Sequence, residues 1–200
     1  MEYGKDKLKE NLKNAICNND IDFLIQNRND FDINDRFEDE DNDTLLLYAL
    51  SDHGSETYKF FLDNKADITL VNDEGENAVH SIVYSNDVKR LEAILNQFKL
   101  DINHQTHEGI TPILLAVLLG DFEMFDSLLR HGADFNISDK DGNMPIHVAC
   151  QLGYKHIVYK LVESGANLSS KTNKGNYPLA LAVNGDHIEI VKYLYDKVYS

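Results

Sequence analysis

An eight-residue phrase recurs through this chain at a nearly constant interval, and the interval constrains the fold more than any single residue does. Gly142-Asn143-Met144-Pro145-Ile146-His147-Val148-Ala149 is echoed by Gly109-Ile110-Thr111-Pro112-Ile113-Leu114-Leu115-Ala116, by Gly175-Asn176-Tyr177-Pro178-Leu179-Ala180-Leu181-Ala182, and faintly by Gly75-Glu76-Asn77-Ala78-Val79-His80-Ser81-Ile82. The four glycines stand 34, 33 and 33 positions apart. A period near thirty-three implies stacked supersecondary units, each burying its apolar face on its neighbours, rather than one closed core. It also turns the functional question from catalysis towards binding.

Each clear copy has three parts with a physical explanation. An Asp/Asn-rich step ending in Gly makes a tight turn, Thr-Pro or its substitute opens a first helix, and a mid-unit Gly separates that helix from a second. In the copy from Thr106 to Ser138, Thr111 is placed to cap the helix start and Pro112 sits where its missing N–H is harmless. Ile113, Ala116 and Val117 recur at helical spacing, Gly120 ends the helix, and Phe122, Phe125, Leu128 and Leu129 stripe the next. Gly132 then supplies the positive φ that helix termination commonly uses.

These residues resemble the ankyrin repeat, whose signature runs Thr-Pro-Leu-His-x-Ala. The resemblance implies an all-α solenoid of about six stacked helix-turn-helix units with projecting hairpin loops. It forms a single domain over 1–200, with an N-terminal cap at 5–38, units at 39–71, 72–105, 106–138 and 139–171, and a C-terminal cap at 172–200. The outer copies depart from the pattern. Leu45 and Ala78 replace Pro, Lys65 and Asn86 replace Gly, and in the last copy Gly185 falls one place early so that Asp186 occupies the interhelix glycine position. That last turn is expected to differ slightly. Terminal units must make one face soluble, and Leu8, Leu12, Ala15 and Ile16 give the first helix an apolar stripe with Lys5, Lys7, Lys9, Glu10 and Lys13 opposite. Tyr193, Tyr195 and Tyr199 are expected to lie flat on the last core.

Charge narrows the partner class. The net charge is −15, which opposes a phosphate backbone or an anionic membrane, so neither nucleic acid nor lipid is expected. Between Asp30 and Glu76, fifteen acidic residues face only Arg36, Lys59 and Lys65, and this quarter suits a basic partner. Cys17 and Cys150 are too few for a disulfide framework, and no segment has the length or pattern of a membrane span or secretory signal. A cytoplasmic protein, monomeric when free, is expected.

Catalytic and metal-binding constellations are absent from the sequence. The eight histidines are scattered over different copies without metal-ligand spacing. His80 and His147 fall at the repeat's own His position, where the resemblance implies a structural hydrogen bond between loops. Cys150 follows Ala149 in a packing position. The run Glu38-Asp39-Glu40-Asp41-Asn42-Asp43 lacks the ligand alternation of a calcium loop and reads as a solvated hairpin. No cofactor and no enzymatic activity are expected.

What remains is a surface. By the resemblance, hairpin tips and the late turns of the first helices line one concave groove. The tips supply Glu40, Asp41, Asp43, Asp73, Glu74, Glu76, Glu108, Ile110, Asp141 and Asn143, and the helices supply Tyr84, Leu118, Leu119 and Leu152. An apolar centre ringed by charge is the layout of a protein contact. The expected function is non-catalytic protein binding through this groove. The alternative is an acidic inhibitor or neutralising protein that occludes the basic active site of a toxin or nuclease.

Overall fold

The computed structural model describes residues 2–38, 41–52 and 56–199, and the regular structure among them is twelve helices and one two-stranded ribbon. The chain divides into two compact units, 1–100 and 101–200.

The first unit holds α1 (Glu2–Cys17), α2 (Ile21–Gln26), β1 (Arg36–Phe37), β2 (Asp43–Thr44), α3 (Leu45–Ser51), α4 (Thr57–Asp63), α5 (Ala78–Ser85) and α6 (Val88–Gln97). Helices pair in sequence, α3 packs on α5 and α2 on α4. Leu12, Ala15 and Ile16 of α1 are buried while Lys7 and Glu10 remain exposed, as a soluble cap requires. The ribbon is antiparallel, with Arg36 opposite Thr44 and Phe37 opposite Asp43. Asp41 and Asn42 in its loop both have left-handed φ, at 49° and 58°, a conformation Asp and Asn tolerate better than most residues.

One cation lies wholly inside this unit. Arg90 of α6 is 2% exposed, and its Nη1 donates to the carbonyls of Leu50 at 2.7 Å and Asp52 at 2.9 Å. Those carbonyls close α3, whose end carries partial negative charge and orphan acceptors. The guanidinium also lies 4.8 Å from the Tyr58 ring centroid and 3.6 Å from Asp87 Oδ2. Position 90 therefore terminates a helix of the preceding repeat.

The second unit holds α7 (Pro112–Leu119), α8 (Phe122–Arg130), α9 (Pro145–Leu152), α10 (Lys155–Glu163), α11 (Pro178–Asn184) and α12 (Ile188–Tyr199). The inner helices α7, α9 and α11 stack in order, and the outer helices α8, α10 and α12 stack behind them. Thr111 caps α7 as its position implies, its Oγ1 accepting from Leu114 N at 3.3 Å. Ile113, Val117, Phe125, Leu128, Ile146, Cys150, Val158 and Leu161 are essentially inaccessible. Each large apolar side chain so buried contributes about 1.5–3 kcal/mol.

The departures from consensus keep the backbone path. Asn86, Lys65 and Asp186 adopt the positive φ that Gly supplies elsewhere, at 51°, 65° and 56°. Gly185 itself has φ −89°, so the last turn differs from its neighbours in residue type but keeps the left-handed step at the same repeat position.

The three-residue segments that end the copies, such as Asp32-Ile33-Asn34 and Asp101-Ile102-Asn103, have a double role. Asp32, Asp67, Asp101, Asp134 and Asn167 each accept the backbone N–H two residues on, at 2.8 to 3.0 Å. Asn34 and Asn103 then accept from the backbone of Asp67 and Asp134 in the following copy, both at 2.8 Å. No helix among the described residues is long and apolar enough to cross a membrane.

Candidate functional site

Each hairpin tip is bonded to the next within its unit. Asp73 N donates to Asp41 O at 2.8 Å, Lys140 N to Glu108 O at 3.0 Å, and Asn173 N to Asp141 O at 2.9 Å. These bonds fix the fingers at the repeat spacing, and side chains link them too, Asn42 Nδ2 donating to Asp73 Oδ1 at 3.2 Å and Lys140 Nζ meeting Glu108 Oε1 at 3.4 Å. Asp41, Asp73, Glu74, Glu108 and Asp141 are exposed, as tip positions should be, while Glu40 lies outside the described residues.

Three tip residues from the sequence reading are tied into the fold rather than free. Buried Asn72 donates from Nδ2 to Asp43 Oδ1 at 3.0 Å and to Glu76 Oε2 at 2.9 Å. The other carboxylate oxygen of Glu76 accepts from the Tyr84 hydroxyl at 2.8 Å. Asn143 is held by Asp139, which accepts from its backbone N at 2.8 Å and from its side-chain amide. Asn72 carried no signal of its own; its role follows only from the carboxylates on either side of it.

The bond from Tyr84 to Glu76 also shows which positions face each other. Counted from the first residue of each inner helix, Tyr84 corresponds to Ser51, Leu118, Gln151 and Asn184, and Glu76 to Asp43, Ile110, Asn143 and Asn176. The facing pair is thus acidic in the first unit, apolar at Ile110 and Leu118, and amide-bearing at Asn143 and Gln151. Leu118 is 39% exposed, Leu119 51% and Leu152 43%. In the second unit these leucines form an exposed apolar strip at the carboxyl ends of α7 and α9. Tyr84, 47% exposed, belongs to the acidic network instead, and burial together with the Glu76 bond pushes its hydroxyl well above the ordinary tyrosine range. Gln151 is among the late-turn residues the sequence offers, whereas Asn184 was missed, although aligning the copies by their first helical residue finds it.

The remaining candidates are structural. His147 is fully buried; its Nδ1 accepts from Met144 N at 3.1 Å, so Nε2 carries the proton and donates to the Ser170 carbonyl at 3.2 Å. That is the interloop bond expected of the repeat's His. His80 is equally buried and bonds Asn77 Oδ1 at 2.8 Å. Burial pushes the Cys150 thiol up to about 12, so it stays protonated and unreactive. Tyr193 packs at a tilt against Tyr159 with centroids 4.3 Å apart, while Tyr195, 56% exposed, does not lie flat on the last core as expected. Nothing is described for the Tyr199 side chain. Among the described residues no three His, Cys, Asp or Glu side chains converge as metal ligands would.

Comparison with known proteins agrees with this geometry. The family model described as ankyrin repeats in three copies matches residues 80–172 and 113–199. Mouse ankyrin repeat domain-containing protein 13D is 43% identical over 56 residues, 28% of this chain and 9% of that protein. Neurogenic locus notch homolog protein 1 is 27% identical in mouse and 26% in human, each over 139 residues, 70% of this chain and 5% of the relative. The chain thus spans only a small part of the length of these curated relatives. Stacked helix pairs, bonded fingers, an interloop histidine and the family match over more than half the sequence lead to one conclusion: the chain belongs to the ankyrin repeat family, whose repeats are protein-interaction modules.

Proposed function

We propose that this protein is a non-catalytic binding module whose first unit steers a basic partner and whose second unit supplies apolar contact. The carrying observation is the difference in surface chemistry between the two units. The first unit bears 22 acidic and 11 basic residues, the second 12 and 8. Exposed Asp41, Asp73 and Glu74 crown the first unit's fingers, and Leu118, Leu119 and Leu152 stand exposed at inner-helix ends of the second, where the first unit has Ser51, Asp52, Tyr84 and Ser85. Exposed charge at an interface rim acts mainly on encounter rate and is screened by salt, while desolvated apolar side chains near the centre hold the complex once formed.

The test needs the partner, obtained by affinity capture on the full chain and then purified. Asp41→Asn, Asp73→Lys and Glu74→Lys together are expected to slow association and flatten its salt dependence while leaving dissociation nearly unchanged. Leu119→Asn and Leu152→Asn are expected to speed dissociation. Binding kinetics indifferent to both sets would defeat the proposal. Asp43 and Glu76 are poor choices for such a test, because reversing them would break the Asn72 network as well.

A further inference from the structure

We infer that the free protein pairs with a second copy of itself through the outer face of α11 and α12, and is not the monomer expected from sequence. The contact uses helices other than those of the leucine strip and stands independently of the binding reading above.

Leu179, Ala180, Val183 and Val191 stand 33 positions after Ile146, His147, Cys150 and Val158, and 66 after Ile113, Leu114, Val117 and Phe125. All eight counterparts are buried, in copies whose helices carry the next copy's helices, α9 on α7, α11 on α9, α10 on α8 and α12 on α10. In the last copy Leu179, Ala180 and Val191 are only half-buried and Val183 is exposed. Leu181, Ala182, Ile190 and Leu194 stay buried, so the opening is one-sided. On α11 the open residues fall within an arc of about 100°, with Leu181 and Ala182 on the other side. The arc therefore has the chemistry of a repeat-on-repeat contact, and a helix pair of this same repeat is what fits it.

A terminal repeat ordinarily turns a polar outer face to solvent. Here Leu168, Tyr177, Leu179, Ala180, Val183 and Val198 wall a hollow of about 650 Å³, and Tyr177, Val183 and Val198 are exposed. An exposed apolar patch of this kind marks an interaction surface.

Charge selects a like chain as the occupant. The chain carries −15 in all, so two copies repel over most of their surface. Residues 172–200 hold three acidic side chains, Asp186, Glu189 and Asp196, and three basic ones, Lys174, Lys192 and Lys197, a net charge of zero. A basic partner finds no excess of counter-charge there, whereas a second copy meets no net repulsion. The first copy offers no complementary apolar face, because α1 buries Leu12, Ala15 and Ile16 and exposes Lys7 and Glu10. Both chains therefore use the same face, which closes the contact about a twofold axis at two copies.

Sedimentation equilibrium on the full chain tests this. The mass is expected to rise with concentration from 22.8 kDa to a plateau at twice that value. Val183→Glu and Val198→Glu put charge at exposed positions, and each should weaken pairing about ten-fold or more with an unchanged far-UV spectrum. Leu119→Glu and Leu152→Glu should leave the mass curve unaltered. A mass that stays at 22.8 kDa up to about 100 μM would overturn the inference and leave the binding reading standing. Pairing abolished by the leucine changes instead, or a mass that climbs past two copies, would overturn it as well.

Discussion

The hydroxyl of Tyr84 donates to Oε1 of Glu76 at 2.8 Å, joining the late turn of an inner helix to the finger in front of it. Asn72 holds the opposite oxygen of the same carboxylate. Tyr84→Phe removes the donor and keeps the ring, so it should cost about 1 kcal/mol of stability in urea unfolding. Glu76→Gln retains an acceptor and should cost less. The tyrosine hydroxyl is neutral in the fold to higher pH than in the unfolded chain, whose value is near 10.0. Its contribution is therefore fully present below that value and is lost as pH rises above it. Tyr58 and Tyr193 are also shifted upward, so ultraviolet titration of the folded protein should show a high-pH tyrosine fraction that shrinks by one residue in Tyr84→Phe.

Arg90 gives the largest expected effect of any single polar substitution. Arg90→Met fills the space but leaves the α3 carbonyls of Leu50 and Asp52 without their donor in a site closed to water. Leaving a buried carbonyl without its donor costs about 1–3 kcal/mol for each group. Hydrogen exchange should localise the loss to residues 45–52. Arg90→Lys keeps the charge but not the fork of donors, and should fall between. A loss below about 1 kcal/mol for Arg90→Met would show that the helix end is satisfied some other way.

Arg90 and Tyr84 mark where sequence legibility stops. Pro112, Thr111, Gly120 and Asp134 act through φ, a cap or an Asx turn within a few residues of themselves, so their roles are readable from local chemistry. Arg90 acts on carbonyls some forty residues away, and nothing in its own helix announces that target. Tyr84 was grouped with the leucines because its ring is apolar and its position matches theirs. Its hydroxyl found Glu76 only because the finger in that copy carries a carboxylate where the next carries Ile110. Asp43, Glu76 and Asn143 look like free tips for the same reason: a polar residue at a tip and one satisfied by a buried neighbour are indistinguishable until the neighbour is seen.

His147 links stability to pH. Burial holds its pKa below the ordinary 6.5, against the opposing pull of the Ser170 carbonyl bond and the Asp139 charge. As pH falls through 6.5 the unfolded chain takes up the proton first, so stability is full above that value and declines as pH drops towards the lower folded pKa. Protonation of Nδ1 would also break the bond from Met144 N that starts α9. His147→Gln keeps a side-chain donor without the titration. It should be less stable than the parent at neutral pH yet lose less between about pH 7.5 and about pH 5.5, measured as urea midpoints.

Gly153 and Gly165 separate two costs that a glycine can carry. Both have positive φ, 77° and 92°. A Cβ on Gly165 would meet nothing within 4 Å, whereas one on Gly153 would come within 2.5 Å of the His187 ring. That ring cannot simply swing aside, because its Nε2 is bonded to the Gln151 carbonyl at 3.0 Å. Gly165→Ala should therefore show only the backbone penalty, about 1–2 kcal/mol. Gly153→Ala should add an overpacking term and reach about 3 kcal/mol. Placing His187→Ala in the Gly153→Ala background should recover the steric part and leave the φ cost. If the two glycine variants melt at the same temperature, the close approach of His187 contributes nothing, and the left-handed turn alone explains why α9 ends in glycine directly after the exposed Leu152.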